Sequence, residues 1–188
     1  MKLLRQISLV VVVKLVILLA VALVAPKLIP YLGNFSFPGV LAAYHLPESV
    51  KSLANFDGIQ YLFIVQSGYN DFSYAFFPLY PVLIKVVGTV LLNNYLLAAV
   101  LISQISLIGA MWLAYQWLRS FFPVKQVWWF LIFWLAFPTA FFLQTAYTES
   151  VFMLWVFATL FCLQKKQIWW AGLFSLLAAL TRVTGVFL

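Results

Sequence analysis

Residues 96–118 read LLAAVLISQISLIGAMWLAYQWL, 23 positions without a single charge. As a helix they extend about 35 Å at 1.5 Å per residue, enough to cross the hydrocarbon core of a bilayer. Asn93-Asn94 closes the run on one side and Arg119 on the other. The rest of the 188-residue chain has the same character: 66% of it is apolar, 19% aromatic and only 8% charged. Soluble domains carry about 25% charged residues. Eleven basic and four acidic residues cannot coat a globule of this size, which excludes a soluble enzyme. The abundance of apolar residues excludes intrinsic disorder as well. The expected class is an all-α integral membrane protein.

Further apolar runs lie on both sides of this stretch. Spans are expected at about 7–25, 96–118, 126–144, 149–164 and 168–188, five in all, with an outer loop over 26–95. The first run follows Lys2 and Arg5 and contains Lys14. Ala20-Val21-Ala22 near its end would suit a cleaved leader, but the runs that follow favour an uncleaved first span. Lys14 is costly at a helix centre, by about 2.5–3.5 kcal/mol on insertion scales, so it should snorkel or face protein. The loop holds Pro26, Pro30, Pro38, Pro47 and Pro78 together with Gly33, Gly39, Gly58 and Gly68. It also holds three of the four acids, Glu48, Asp57 and Asp71. Inside it, 59–66 reads as a short helix that opens at Asp57-Gly58, with Asp57 as its N-cap. A kink is expected at Pro138. The chain stops inside an apolar run at Leu188, and so reads as the front part of a longer protein.

Residues 79–92 are apolar but short, and contain Lys85. Segments of this length are commonly interfacial or re-entrant. If this one lies flat, Lys2, Arg5, Arg119, Lys125, Lys165 and Lys166 share one side; if it crosses, only Lys2 and Arg5 remain there. The positive-inside rule favours the flat, amphipathic reading. All four acids then face the non-cytoplasmic side. The net charge of +7 accordingly concerns orientation. No nucleic-acid partner is expected, since basic residues punctuate apolar runs instead of clustering on a solvated face. Cys162 is the one cysteine, and nothing in the sequence calls for a disulfide framework, a metal or another cofactor.

Three groups stand out as candidates for chemistry. Asn55-Phe56-Asp57-Gly58 sets a carboxylate at a helix start beside the membrane. It reads either as a cap or as a general base, whose basicity desolvation would raise. Thr148-Glu149-Ser150 lies in a polar turn on the same side; Glu149 either marks a helix start or binds hydroxyl groups such as those of a sugar. Arg182, in Thr181-Arg182-Val183-Thr184-Gly185, is costly at membrane depth without a partner. It either pairs with one of the acids or binds phosphate through its planar fork.

Phe56-Asp57-Gly58-x-x-Tyr61, Gly68-Tyr69 and Ala75-Phe76-Phe77-Pro78-Leu79-Tyr80-Pro81 follow one another in the loop. Downstream come Phe137-Pro138-Thr139-Ala140-Phe141-Phe142, Tyr147-Thr148-Glu149-Ser150, Trp170-Ala171-Gly172 and Thr181-Arg182-x-Thr184-Gly185. In order and spacing these motifs resemble the PIG-V family of GPI mannosyltransferase II, its bacterial relatives above all. Phe56 and Gln60 stand where the eukaryotic members carry Trp and His. The resemblance implies a GT-C-like multi-pass helical bundle with juxtamembrane helices in its first outer loop. It implies a glycosyltransferase that moves a sugar, typically mannose, from a polyprenyl- or dolichyl-phosphate donor to an alcohol acceptor. Its first-loop catalytic acid falls on Asp57.

On that basis Asp57 takes the acceptor proton, while Arg182 and then Lys85 are the residues expected at the donor phosphate. Glu149, Tyr61, Tyr69 and Tyr80 are expected around the sugar and acceptor. The partners are the lipid-linked donor and membrane lipids. The membrane would be the plasma membrane in a prokaryote and the endoplasmic reticulum in a eukaryote. Two other readings compete: a polyisoprenoid-lipid transporter or flippase, and a non-catalytic membrane scaffold. A transporter should carry inverted repeats, and no repeat is visible in this sequence.

Overall fold

The computed structural model describes residues 2–29, 38–71 and 73–188; Pro30 and Gly33 of the loop lie outside the described residues. Among the described residues every regular element is helical. In chain order these are α1 (Lys2–Leu28), α2 (Pro38–Ala42), α3 (Glu48–Lys51), α4 (Asp57–Ser67), α5 (Leu79–Val90), α6 (Tyr95–Leu118), α7 (Val124–Ala136), α8 (Glu149–Gln164) and α9 (Ile168–Ala179). Three 3₁₀ segments, Ser52–Ala54, Pro138–Leu143 and Val183–Phe187, join or extend them.

Among the described residues two helices are long and apolar enough to cross a membrane, α1 with 27 residues and α6 with 24. The five expected spans are thus not all present as continuous helices of bilayer length. α7 stops at Ala136 because proline disfavours αR geometry in the residue before it. Phe137 is accordingly extended (φ −60°, ψ 138°), and the chain resumes as the 3₁₀ segment Pro138–Leu143. What the sequence presents as a kink is a break. α8 has 16 residues. The last expected span, 168–188, is helical only to Ala179. There the Thr181 hydroxyl donates to Leu177 O at 2.7 Å, and Arg182 turns extended (φ −151°, ψ 146°).

The core has two parts. Towards one end Tyr61, Leu62, Tyr80, Ile84, Leu96, Ala99 and Val151 pack together. Towards the other, Ile7 and Val11 of α1 meet Leu107, Met111, Leu118, Val127 and Leu131. Gln104 and Gln144 form a buried polar seam between them. Gln144 Nε2 donates to Gln104 Oε1 (3.0 Å) and to Val11 O (2.9 Å), while Gln104 Nε2 donates to Gln144 O (2.7 Å). Lys14 donates to Ala140 O at 2.7 Å, so it faces protein, as its depth in α1 requires.

α5, with 12 residues, is shorter than a bilayer span, as expected, and it packs against α6. Its Tyr80 hydroxyl reaches Ala99 O and Ser103 Oγ in α6, both at 3.1 Å. Near its other end Gly88 fits against Tyr95 with no room for a Cβ. α5 therefore doubles back along the first turns of α6, through a tight turn with positive φ at Leu92 and Asn93. Leu79 N–H also donates to Leu180 O at 3.1 Å, which ties the start of α5 to the end of α9.

Candidate functional site

The starts of α4 and α8 and the end of α9 converge at one end of the bundle, and carry Asp57, Glu149 and Arg182. A hydrogen bond between Gln164 and Ser120 links two turns at the opposite end, beside Arg119, Lys125, Lys165 and Lys166. The antiparallel pairing of α8 with α9 returns residue 182 to the level of residue 149.

Arg182 Nη1 donates to Glu149 Oε1 at 2.5 Å and to Thr148 Oγ1 at 3.3 Å. Both bonds use Nη1, so the Nε–Nη2 edge of the guanidinium is unbonded to protein among the described residues. The pair is partly exposed, with side-chain exposures of 41% for Arg182 and 29% for Glu149. Glu149 Oε2 is buried and unpartnered.

Asp57 is the first residue of α4 and not its N-cap; that position belongs to Phe56. Phe56 has φ 56° and ψ −119°, and Gly58 N–H donates to Asn55 O at 3.3 Å. Residues 55–58 thus form a type II′ turn, whose first central position normally takes glycine. A phenylalanine there costs on the order of 1–3 kcal/mol, strain that persists only where the surroundings impose it. The surroundings include the linker before α8. Ala146 N–H donates to Leu53 O at 2.8 Å, and the Tyr147 hydroxyl donates to Asn55 O at 2.9 Å. Gly58 sits so close that a Cβ would lie 3.2 Å from Ala146 O.

Among the described residues no hydrogen bond or ion pair engages the Asp57 carboxylate. Although the residue is exposed at its rim, desolvation raises its pKa above the ordinary carboxylate value, and the nearby Arg182 charge only partly offsets this. Tyr61, buried beneath the cluster, interacts with the Thr148 hydroxyl and feels Asp57, Glu149 and Arg182; burial, the largest cause, pushes its pKa up to about 12.

A cleft of about 590 Å³ adjoins the cluster. Phe130, Phe133, Trp134, Phe137 and Phe142 form its aromatic walls, and its polar lining residues are Thr139 and Glu149. The α7 break at Phe137 builds this cleft, since it turns the chain between α7 and α8.

Asp57, Tyr61, Glu149 and Arg182 thus come together, and Tyr80 packs edge to face on Tyr61 beneath them (ring centroids 5.0 Å apart), whereas Lys85 and Tyr69 are engaged elsewhere. Tyr80 is fully buried and bonded to α6, so it is a core residue. Lys85 donates to Val65 O at 3.0 Å, near the end of α4, and lies 5.6 Å over the Tyr95 ring; these contacts hold α4 to α5. Tyr69 stacks on Tyr74 and donates to Phe76 O at 2.9 Å within the loop. Glu149 is committed through Oε1 to Arg182, so it orients the guanidinium. Tyr147 carries no expected role in the sequence reading, because its link to Asn55 spans 92 positions. No family model, curated protein or solved structure matches the chain.

Proposed function

We propose that this chain is a multi-pass, GT-C-like membrane glycosyltransferase that moves a sugar, mannose in the first instance, from a polyprenyl-phosphate donor to an alcohol acceptor on the non-cytoplasmic side. One observation carries the reading. An Asp57 carboxylate of raised pKa, unpaired among the described residues, shares a site with a guanidinium whose free edge suits phosphate, and Glu149, which holds that guanidinium, lines an aromatic cleft fit for an apolar chain.

Asp57 accepts the proton of the acceptor hydroxyl as its oxygen attacks the anomeric carbon. The bond from that carbon to the phosphate oxygen breaks, and its electron pair leaves with the polyprenyl phosphate. Arg182 binds this phosphate and offsets the charge that develops on it. Glu149 and Thr148 hold Arg182 by Nη1, leaving the other edge for the ligand. Attack opposite the leaving group inverts the anomeric centre.

The test is transfer from a radiolabelled polyprenyl-phosphate mannose in membranes carrying the protein expressed from its full reading frame. Asp57→Asn should insert and fold, yet lose roughly 10²–10⁴-fold of its rate, the usual scale for a lost general base. Asp71→Asn, the same charge change in the same loop, should stay near the parent. Parental transfer by Asp57→Asn would remove the mechanism.

A further inference from the structure

We infer that Tyr147 is the positioning residue for Asp57, because its hydroxyl clamps the strained turn 55–58 from the opposite side of the site. The inference rests on the reading of Asp57 as the base.

The turn has a conformation its own sequence disfavours. Phe56 occupies a positive-φ position suited to glycine, so the isolated segment would relax to another turn and carry the Asp57 side chain with it. Two bonds from the 146–147 linker oppose that relaxation: Ala146 N–H to Leu53 O at 2.8 Å and Tyr147 Oη to Asn55 O at 2.9 Å. The first anchors the 3₁₀ segment ahead of the turn. The second holds the carbonyl that accepts the turn-closing bond from Gly58, and so acts on the turn itself. Two residues beyond Tyr147, Glu149 holds Arg182. One short linker thus sets both the base and the cation, and Tyr147 fixes the spacing between them. Strain imposed by distant residues clusters at working sites, and here its release would uncouple the two groups.

The experiment uses Tyr147→Phe, which keeps the ring and removes the hydroxyl, in the full-length protein. Its first readout is independent of transfer: labelling of Asp57 by dicyclohexylcarbodiimide, which attacks protonated carboxyl groups, followed against pH by peptide mass spectrometry. In the parent the labelling midpoint lies above the ordinary carboxylate range. Tyr147→Phe lets the carboxylate hydrate, so the midpoint falls towards the ordinary carboxylate range. In the transfer assay kcat falls about 10- to 100-fold, as for a misplaced reacting group, with the donor KM unchanged. Adding Phe56→Gly, which removes the strain that the clamp opposes, restores both readouts towards the parent.

A parental labelling profile and parental kcat in Tyr147→Phe would overturn the inference, even with Asp57→Asn inactive. An equal loss of kcat with no shift in labelling, or one that Phe56→Gly leaves unrepaired, would overturn it too. Should Asp57→Asn transfer normally, the base reading falls, while a labelling shift in Tyr147→Phe still establishes the clamp. Where Tyr147→Phe does not fold, the double variant decides: folding with the parental profile supports the clamp, and failure to fold overturns it.

Discussion

Arg182 Nη1 lies 2.5 Å from Glu149 Oε1 and joins the residue that follows the α8–α9 hairpin to the residue that opens it. The pair gives the part-buried guanidinium its counter-charge and occupies one of its nitrogens. Arg182→Lys keeps the charge and loses the fork. Donor KM is expected to rise about tenfold or more, the equivalent of roughly 1.4 kcal/mol of binding, with expression unchanged. Arg182→Ala that transfers sugar like the parent would reduce the residue to a structural partner of Glu149.

Asp57 has a pKa raised mainly by desolvation, and two consequences follow from the sign. As the proposed base Asp57 would work ionised, so the acidic limb of the kcat/KM profile should lie above the ordinary carboxylate range, and activity should fall as pH drops through it. For stability the direction is opposite. The folded state binds the proton more tightly than the unfolded chain, so Asp57 costs stability as pH rises from the ordinary carboxylate range through its folded pKa. Melting in detergent at neutral pH should therefore find Asp57→Asn at least as stable as the parent. A clear loss there would restore the view of Asp57 as a helix-stabilising acid.

Gly185 packs against the backbone of Ala178 and Ala179 so closely that a Cβ would overlap it. Gly185→Ala must push the 3₁₀ segment Val183–Phe187 away from α9, and Arg182 with it. A destabilisation of about 1–3 kcal/mol is expected, as for other overpacked sites, together with weaker donor binding. Thr184→Ala, at an exposed neighbour, serves as the control. Equal melting temperatures for the two variants would show that the segment has more room than its packing implies.

Lys125 at the start of α7 and Glu149 at the start of α8 lie at opposite ends of the bundle. Single cysteines at 125 and 149, in a background without Cys162, should label from opposite sides of the membrane, with 149 outside. Labelling of both from one side would overturn the arrangement and reverse the later helices.

The local conclusions came from the sequence by itself. An uncharged 23-residue run makes an apolar helix wherever it is placed, because helical hydrogen bonds reach only four residues along the chain. Asp57-Gly58 opens a helix for the same local reason, whereas Pro138, read as a kink within one span, breaks that span. The grouping of three candidate residues was legible only as a shared side, from the balance of basic loops. Tertiary structure decided which of them meet. Arg182 and Glu149 are 33 positions apart, and Tyr147 and Asn55 are 92 apart; no periodicity spans such distances. It also decided that Tyr80 and Lys85 serve the packing of α5, since a tyrosine or lysine beside a glycine-rich loop reads the same whether it faces a ligand or a neighbouring helix. The positive φ of Phe56 was the least legible feature. Its sequence favours another turn, and packing by residues distant in the chain, the 146–147 linker among them, holds the strained one.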